Sequence, residues 1–183
     1  RPSAPALREK EYGIWQTTTW SDLARLAESV ACGLHQAGLQ RGEHLVVVGS
    51  NRPRLYATML AAQSLGAIPV PLYQDAAAAE CVFPITNAEV RFCVVEDQEQ
   101  VDKMLEVREK CPQLSHIYYD DPRGLRKYDE EGLGSLEELM AAGAVFAKQH
   151  PQFIADEIEK SAPADVAAVS YTHLRAHETK ANL

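Results

Sequence analysis

The sequence predicts an α/β domain in which a mainly parallel sheet is flanked by helices. Short apolar runs at residues 45–48, 68–72, 91–95 and 116–119 alternate with longer segments whose apolar residues recur at helical spacing. A run that is apolar at every position is typical of a strand buried on both faces. The regular alternation of strand and helix favours parallel crossover connections over an antiparallel meander.

The first predicted helix begins near Ser21, which we expect to be its N-cap residue. Apolar residues recur from Leu23 to Leu34 at spacings of three and four, which places them on one face of the helix. Gly38 follows at the position of a C-terminal cap.

The second predicted helix follows a turn at residues 49–53. We expect Ser50 or Asn51 to cap it, and Pro53 suits its first turn. Residues 76–88 predict a third helix. Pro84 lies inside it and predicts a kink or an early end, because an interior proline costs about 3 kcal/mol.

The rest of the chain continues the pattern less regularly. Residues 98–110 predict a fourth helix, and residues 120–134 are rich in turn signals. Ser135 and Glu138 form an S-x-x-E capping pattern for a helix that reaches about Phe146, and Pro151 opens a short helix. Residues 164–169 predict a last strand, and residues 1–16 are expected to be irregular.

The composition argues against several classes of function. The chain has 26 acidic and 18 basic residues among 183, for a formal net charge of −8. A nucleic-acid partner is therefore not expected, because binding a phosphate backbone needs a basic face. No stretch approaches the roughly 20 apolar residues that span a bilayer, and no signal peptide opens the chain. The four cysteines lack CxxC spacing, so we expect reduced, buried thiols in a cytoplasmic protein.

Five polar clusters have the residue types of a ligand site, but each has a simpler structural interpretation. Thr17 to Trp20 fit a strand or turn before a helix, Gly49 to Asn51 a helix cap, and Glu96, Asp97 and Glu99 a solvated helix N-terminus. A surface turn explains Asp120 and Asp121, which lie near Arg123 and Arg126. A polar tail explains His173, His177 and Glu178, because their order is not that of the H-E-x-x-H zinc motif.

Three motifs resemble the adenylate-forming superfamily, which includes acyl-CoA synthetases, luciferases and peptide-synthetase adenylation domains. TWSDL at residues 19–23 is similar to the family's T-Y-x-E-L, and LGAIPVPL at residues 65–72 is similar to A-G-A-x-x-x-P-L. DVAAVSYT at residues 165–172 resembles the strand that runs into the family's Y-T-S-G-T-T-G-x-P-K-G loop. The resemblance rests on the order and spacing of the three motifs together.

Shorter segments resemble bacterial long-chain fatty acyl-CoA synthetases: YGIW at 12–15, NRP at 51–53, PLYQD at 71–75 and IYYD at 117–120. The resemblance implies the first lobe of the N-terminal domain of a ligase that uses ATP, Mg²⁺ and coenzyme A on a fatty acid, with peripheral contact to a membrane. It implies that Tyr171 and Thr172 begin the ATP-binding loop and that no catalytic residue lies in this chain. The alternatives are an aryl or amino-acid adenylating enzyme of the same superfamily, or a non-catalytic α/β binding module.

The family pattern stops at Thr172. The phosphate loop needs glycines whose backbone amides can surround a phosphate, and residues 173–183 contain none. We therefore expect residues 1–172 to be a partial N-terminal domain, residues 173–183 to be a non-native tail, and the chain by itself to be inactive.

Overall fold

The computed structural model describes residues 1–171. The strands are β1 (Pro5–Glu11), β2 (Ile14–Thr19), β3 (His44–Val48), β4 (Ile68–Leu72), β5 (Phe92–Val95), β6 (His116–Tyr119) and β7 (Leu133–Ser135). The helices are α1 (Trp20–Gln36), α2 (Pro53–Ser64), α3 (Ala78–Asn87), α4 (Gln98–Arg108), α5 (Leu136–Gln149) and α6 (Phe153–Glu159).

The central sheet has five strands in the order β4-β3-β5-β6-β7, and every neighbouring pair is parallel. This confirms the predicted α/β class. The strand that follows β3 in the chain lies on one side of it, and the next strand, β5, lies on the other. The sheet therefore has a topological switch point between β3 and β5, where open α/β sheets usually bind their ligands.

Helices cover both faces of this sheet. Alternate strand residues point to opposite faces, so Leu45 and Phe92 join the apolar cluster of α1, α2 and α5, whereas Val46 and Cys93 join that of α3 and α4. All four side chains are fully buried. The structure is a three-layer α/β/α arrangement, as continuous apolar strands require.

Residues 1–16 are not irregular, which corrects the expectation from the sequence. β1 and β2 pair as an antiparallel hairpin beside the central sheet. Tyr12 and Gly13 connect them, with φ angles of 47° and 82°. A two-residue type I′ turn needs positive φ at both positions and matches the twist of the strands it joins. Gly13 adopts positive φ readily but Tyr12 does not, so this pair is a weak sequence signal for a hairpin.

The predicted caps of the first two helices are wrong by one or two residues. Thr19, not Ser21, caps α1: the Asp22 amide donates to Thr19 Oγ1 (3.2 Å), and the Thr19 amide donates to the Asp22 carboxylate (3.1 Å). This reciprocal pair satisfies two free amides at once, which a cap at Ser21 would not. The N-cap of α2 is Arg52, because the helix begins at Pro53, and no side chain makes a cap hydrogen bond there.

The strand predicted at residues 164–169 is also wrong, since this segment has no regular structure. It does lie beside β4, where the Val169 amide donates to the carbonyl of Pro69 (3.1 Å). Pro69 and Pro71 point their missing amides toward that side, so β4 accepts hydrogen bonds there but cannot return them. A complete ladder is therefore unavailable to this segment. Conversely, β7 forms at the end of the region that was predicted to be rich in turns, and it includes Ser135.

Candidate functional site

A cavity of about 580 Å³ lies at the carboxyl ends of β3, β5 and β6. The residues that follow these strands line it, and residues 9–12 of the hairpin form its opposite wall. The segment after β3 leads into the N-terminus of α2, so backbone amides face the same region. This position at the switch point is the usual place for a ligand in an open α/β sheet.

Glu96 occupies the centre of the switch point. Its carboxylate accepts hydrogen bonds from the Ser50 amide (2.5 Å) and from Arg52 Nε (2.9 Å). Burial raises the pKa of this carboxyl, but the bonds from Ser50 and Arg52 outweigh burial and lower it overall. The amide at Ser50, which could have received a phosphate, is therefore already bonded to a protein carboxylate. The predicted capping role of the Gly49–Asn51 turn is wrong, because Arg52 is the N-cap residue of α2 and no side-chain cap bond forms there.

A second ion-pair group lies beside the first. The Arg54 guanidinium donates to Asp120 Oδ1 (3.0 Å) and to Glu137 Oε2 (2.7 Å). Burial raises the pKa of the Asp120 carboxyl, although Arg54 opposes that effect. Asp120 is thus a partly buried wall of the cavity and not part of a surface turn, which corrects the sequence interpretation. Asp121 fits that interpretation better, since it pairs with the exposed Arg123.

The chemistry of the cavity follows from these pairs. Glu96, Asp120 and Asp121 each have an arginine partner within the described part of the chain. Within residues 1–171, no group of three or more His, Cys, Asp or Glu side chains is arranged to hold a metal ion. These ion pairs join the ends of the strands, and they leave none of Glu96, Asp120 and Asp121 as a free general base.

Tyr171, one of the two predicted ATP-loop residues, lies at a different place, outside β4. Its hydroxyl accepts a hydrogen bond from Asn87 Nδ2 (2.9 Å), and its ring meets Phe83 edge-on at 6.0 Å between centroids. Tyr171 also packs partly against the apolar cluster of α3 and α4. Thr172, the other predicted residue, lies outside the described residues.

The structure also shows where the other polar clusters that the sequence singled out lie. Thr17 to Thr19 end β2, as expected of a strand before the helix, and Thr19 caps α1 in place of Ser21. Asp97 caps α4 by accepting from the Gln100 amide (3.2 Å), so the acidic run is mainly a helix N-terminus. His173, His177 and Glu178 fall outside the described residues. None of the helices between residues 1 and 171 has the length and apolarity needed to cross a bilayer.

A family model described as AMP-binding enzyme matches residues 1–172. The chain belongs to this family. The match covers the hairpin, the whole parallel sheet and all six helices of the described part. It also includes Tyr171 and Thr172, which stand at the end of the matched stretch.

Similar proteins include acyl-CoA ligases. An uncharacterized protein of Mycobacterium tuberculosis is 33% identical over 116 residues, which is 63% of this chain and 63% of that protein. The long-chain-fatty-acid–CoA ligase ACSBG2 of Mus musculus is 31% identical over 101 residues, 55% of this chain but 15% of the ligase. The solved acetoacetyl-CoA synthetase of Streptomyces lividans matches with a TM-score of 0.68 and 23% identity, over 77% of this chain and 23% of that one. That likeness shows the fold, and the chain spans less than two thirds of each relative's length.

Proposed function

We propose that this chain is the N-terminal part of an ATP-dependent long-chain fatty acid:CoA ligase. The family match over residues 1–172 is the observation that carries the proposal. The identity with a long-chain ligase over 101 residues supports the substrate class, as do the YGIW and PLYQD segments. Since the chain spans 15% of that ligase, the activity belongs to the whole protein.

The proposed reaction has two steps. A fatty acid carboxylate attacks the α-phosphate of ATP, forming an acyl-adenylate and releasing pyrophosphate. The thiol of coenzyme A then attacks the acyl carbon and releases AMP, which is a far better leaving group than oxide. Mg²⁺ would offset the phosphate charge. We assign no residue between 1 and 171 to Mg²⁺, because no three potential ligands meet there.

Within this scheme, residues 1–172 form a partial N-terminal domain and Tyr171 and Thr172 begin the ATP-binding loop. Tyr171 is held by Asn87 and Phe83 of α3. Residues 173–183 lack glycine and would be a non-native tail, so the chain alone would be inactive. We also propose a cytoplasmic protein with peripheral membrane contact. The burial of all four free cysteines suits a reducing compartment, and the substrate is a lipid.

The test begins with the coding sequence downstream of Thr172. A frame that continues as S-G-T-T-G-x-P-K-G supports the proposal. The completed protein is then assayed by ATP–pyrophosphate exchange, and kcat/KM is compared for palmitate, oleate, acetate and benzoate, because that ratio reports discrimination between substrates. The expected order is long-chain acids first.

The other outcomes select the alternatives. A clear preference for benzoate or an amino acid would identify an aryl or amino-acid adenylating enzyme. A frame that ends at Leu183, with no exchange by the purified chain, would identify a non-catalytic α/β binding module. The 183-residue chain serves as the control throughout, and exchange above a no-protein blank would contradict its proposed inactivity.

A further inference from the structure

We propose that Gln63 and Asn87 are positioning residues for the ATP-binding loop. They contact the two ends of residues 166–171, a segment called the strap below, which passes the outer edge of the central sheet. By holding the strap they fix the point where the loop begins. The inference rests on the proposed function for the role of Tyr171 as the start of that loop, whereas the contacts themselves do not depend on it.

The strap crosses the edge of the sheet from one layer of helices to the other. Gln63 lies on α2, which packs on one face of the sheet, and Asn87 lies on α3, which packs on the opposite face. Between them is the edge strand β4, where the Val169 amide donates to the Pro69 carbonyl (3.1 Å). The strap is therefore attached to three different elements of the domain.

No strand ladder sets the register of the strap. Pro69 and Pro71 have no amide hydrogen, so the outer edge of β4 can accept hydrogen bonds from the strap but cannot donate to it. A carbonyl of the strap needs a donor from elsewhere, and Gln63 supplies one. Its Nε2 donates to the carbonyl of Ala167 (2.8 Å). Because a side chain replaces the ladder, the register depends on individual residues.

The other end of the strap is held through the side chain of Tyr171. Asn87 Nδ2 donates to the Tyr171 hydroxyl (2.9 Å), and the Tyr171 ring meets the Phe83 ring edge-on at 6.0 Å between centroids. The edge-on contact of two aromatic rings is favourable but tolerates a range of distances. A hydrogen bond requires a short distance and a narrow range of angles. Asn87 therefore defines where along α3 the tyrosine lies.

The spacing of these contacts makes them depend on one another. They fall on Ala167, Val169 and Tyr171, which is every second residue. That spacing is typical of an extended chain, in which neighbouring residues point to opposite sides. A slip of the strap by one residue would break all three contacts together. The contacts therefore define one position of Tyr171 relative to the sheet.

The expected consequence is an effect on ATP affinity. When the strap is released, only a fraction of the molecules hold the start of the loop in the arrangement that binds ATP, and the apparent dissociation constant rises by the reciprocal of that fraction. KM for ATP should rise while kcat stays constant, because saturating ATP restores the arrangement. A residue that acted only on overall stability would change the amount of folded enzyme and leave KM unchanged.

The first measurement uses the 183-residue chain and needs no ligase activity. NMR follows the hydrogen exchange of the Val169 amide, which is bonded to Pro69 when the strap is in place. Gln63→Ala and Asn87→Ala should each raise the exchange rate by about three- to tenfold, the size of one net hydrogen bond. An unchanged rate in both variants would overturn the proposal.

Gln113→Ala is the matched control for this measurement. The Gln113 side chain also donates to a backbone carbonyl, that of Ile85 (3.4 Å), and makes no hydrogen bond with residues 166–171 within the described part of the chain. The variant should leave the exchange rate of the Val169 amide unchanged. An equal rise with Gln113→Ala would overturn the proposal, because the effect would then come from general loosening of the domain.

The second measurement uses the completed protein and ATP–pyrophosphate exchange with palmitate. Asn87→Ala should raise KM for ATP by about three- to tenfold and leave KM for palmitate unchanged. Asn87→Asp should keep the original KM for ATP, because its carboxylate can accept a hydrogen bond from the Tyr171 hydroxyl. Tyr171→Phe removes the hydroxyl and keeps the ring. If Asn87 acts through Tyr171, Asn87→Ala should have no further effect in the Tyr171→Phe protein.

The outcomes separate this inference from the proposed function. Additive effects of Asn87→Ala and Tyr171→Phe, or an unchanged KM for ATP in an active Asn87→Ala protein, would contradict only the positioning role. An unsubstituted completed protein that shows no ATP–pyrophosphate exchange would overturn the proposed function and the positioning role together. Circular dichroism is used to check that every variant is folded.

Discussion

Replacing Gly143 by alanine is expected to push α1 and α5 apart. Gly143 is buried on α5, where that helix crosses α1. A Cβ atom built there would lie 1.9 Å from the carbonyl oxygen of Ser29 and 2.6 Å from the amide nitrogen of Gly33. Both neighbours are backbone atoms of α1, so no side-chain rotation can relieve the overlap. A Cβ atom built at Gly33 would likewise lie 2.4 Å from the Leu139 carbonyl oxygen on α5.

The magnitude follows from two opposing effects. Alanine in a helix interior is favoured over glycine by about 1 kcal/mol, which alone would stabilise α5. Against this, the helices must separate by more than about 1 Å to restore van der Waals distance. That separation loosens the packing of Leu136 and Met140 against the sheet. Overpacking of this kind costs about 1–3 kcal/mol after relaxation, and backbone contacts belong to the upper end. We expect a net loss of about 1–2 kcal/mol.

The measurement is urea unfolding of the 183-residue chain, followed by circular dichroism. The midpoint should fall while the m-value stays constant, because the same surface is exposed on unfolding. Ala141→Gly is the matched control: Ala141 is exposed on the same helix, so this change should cost about 1 kcal/mol through helix propensity alone. An unchanged or higher midpoint for Gly143→Ala would refute the reasoning, because the two helices could then not be in backbone contact.

Three further predictions concern the charges, the thiols and the catalytic competence of the chain. Glu96→Gln should lower the free energy of unfolding by about 1–3 kcal/mol at neutral pH, because the bonds from Ser50 and Arg52 lose their charged acceptor. Denaturant midpoints would measure this change, and Glu99→Gln is the control because Glu99 is exposed. Since the folded pKa of Glu96 is lowered, its stabilisation is present above the unfolded pKa and is lost as pH falls through the folded value. The acid side of the stability profile should therefore flatten in Glu96→Gln, and an unchanged profile would contradict the assignment. Burial raises the pKa of the Cys93 thiol well above its usual value, so iodoacetamide should label this thiol only after the protein unfolds. Mass spectrometry would measure the labelling, and rapid labelling of the folded protein would mean that the sheet opens. Finally, the 183-residue chain should give no ATP–pyrophosphate exchange above a no-protein blank.

Much of the parallel sheet and its helices could be predicted because their signals are local. The runs at residues 45–48 and 68–72 became β3 and β4 with the expected bounds or one residue more. The helix predicted at residues 76–88 is α3 (Ala78–Asn87), but it does not end early, since it continues three residues past Pro84. Such features depend on apolar periodicity and on the loss of an amide at proline. Both can be identified within one short stretch of sequence.

Some of the errors lie where a distant residue supplies the hydrogen bond. Ser50 was expected to cap α2, but α2 begins at Pro53 with Arg52 as its N-cap, and the Ser50 amide bonds to Glu96, 46 residues later. The segment at residues 164–169 has strand-like composition, but the edge of β4 that it meets lacks the donors for a ladder. The hairpin was missed for a different reason: its faces alternate charge with exposed aromatics, which does not resemble a half-buried strand.

The sequence by itself determined the fold class, the family and the absence of a glycine-rich loop in residues 173–183. Each of these depends only on which residue types follow one another along a continuous segment. Only the tertiary structure decided which strand ends meet. It brought Glu96 to Ser50 and Arg52 at the switch point, and it placed Tyr171 on α3 and away from that cavity. It also set the distance between α1 and α5, through two glycines 110 residues apart. These contacts depend on strand order and helix spacing, which arise from packing the whole core and not from any one segment.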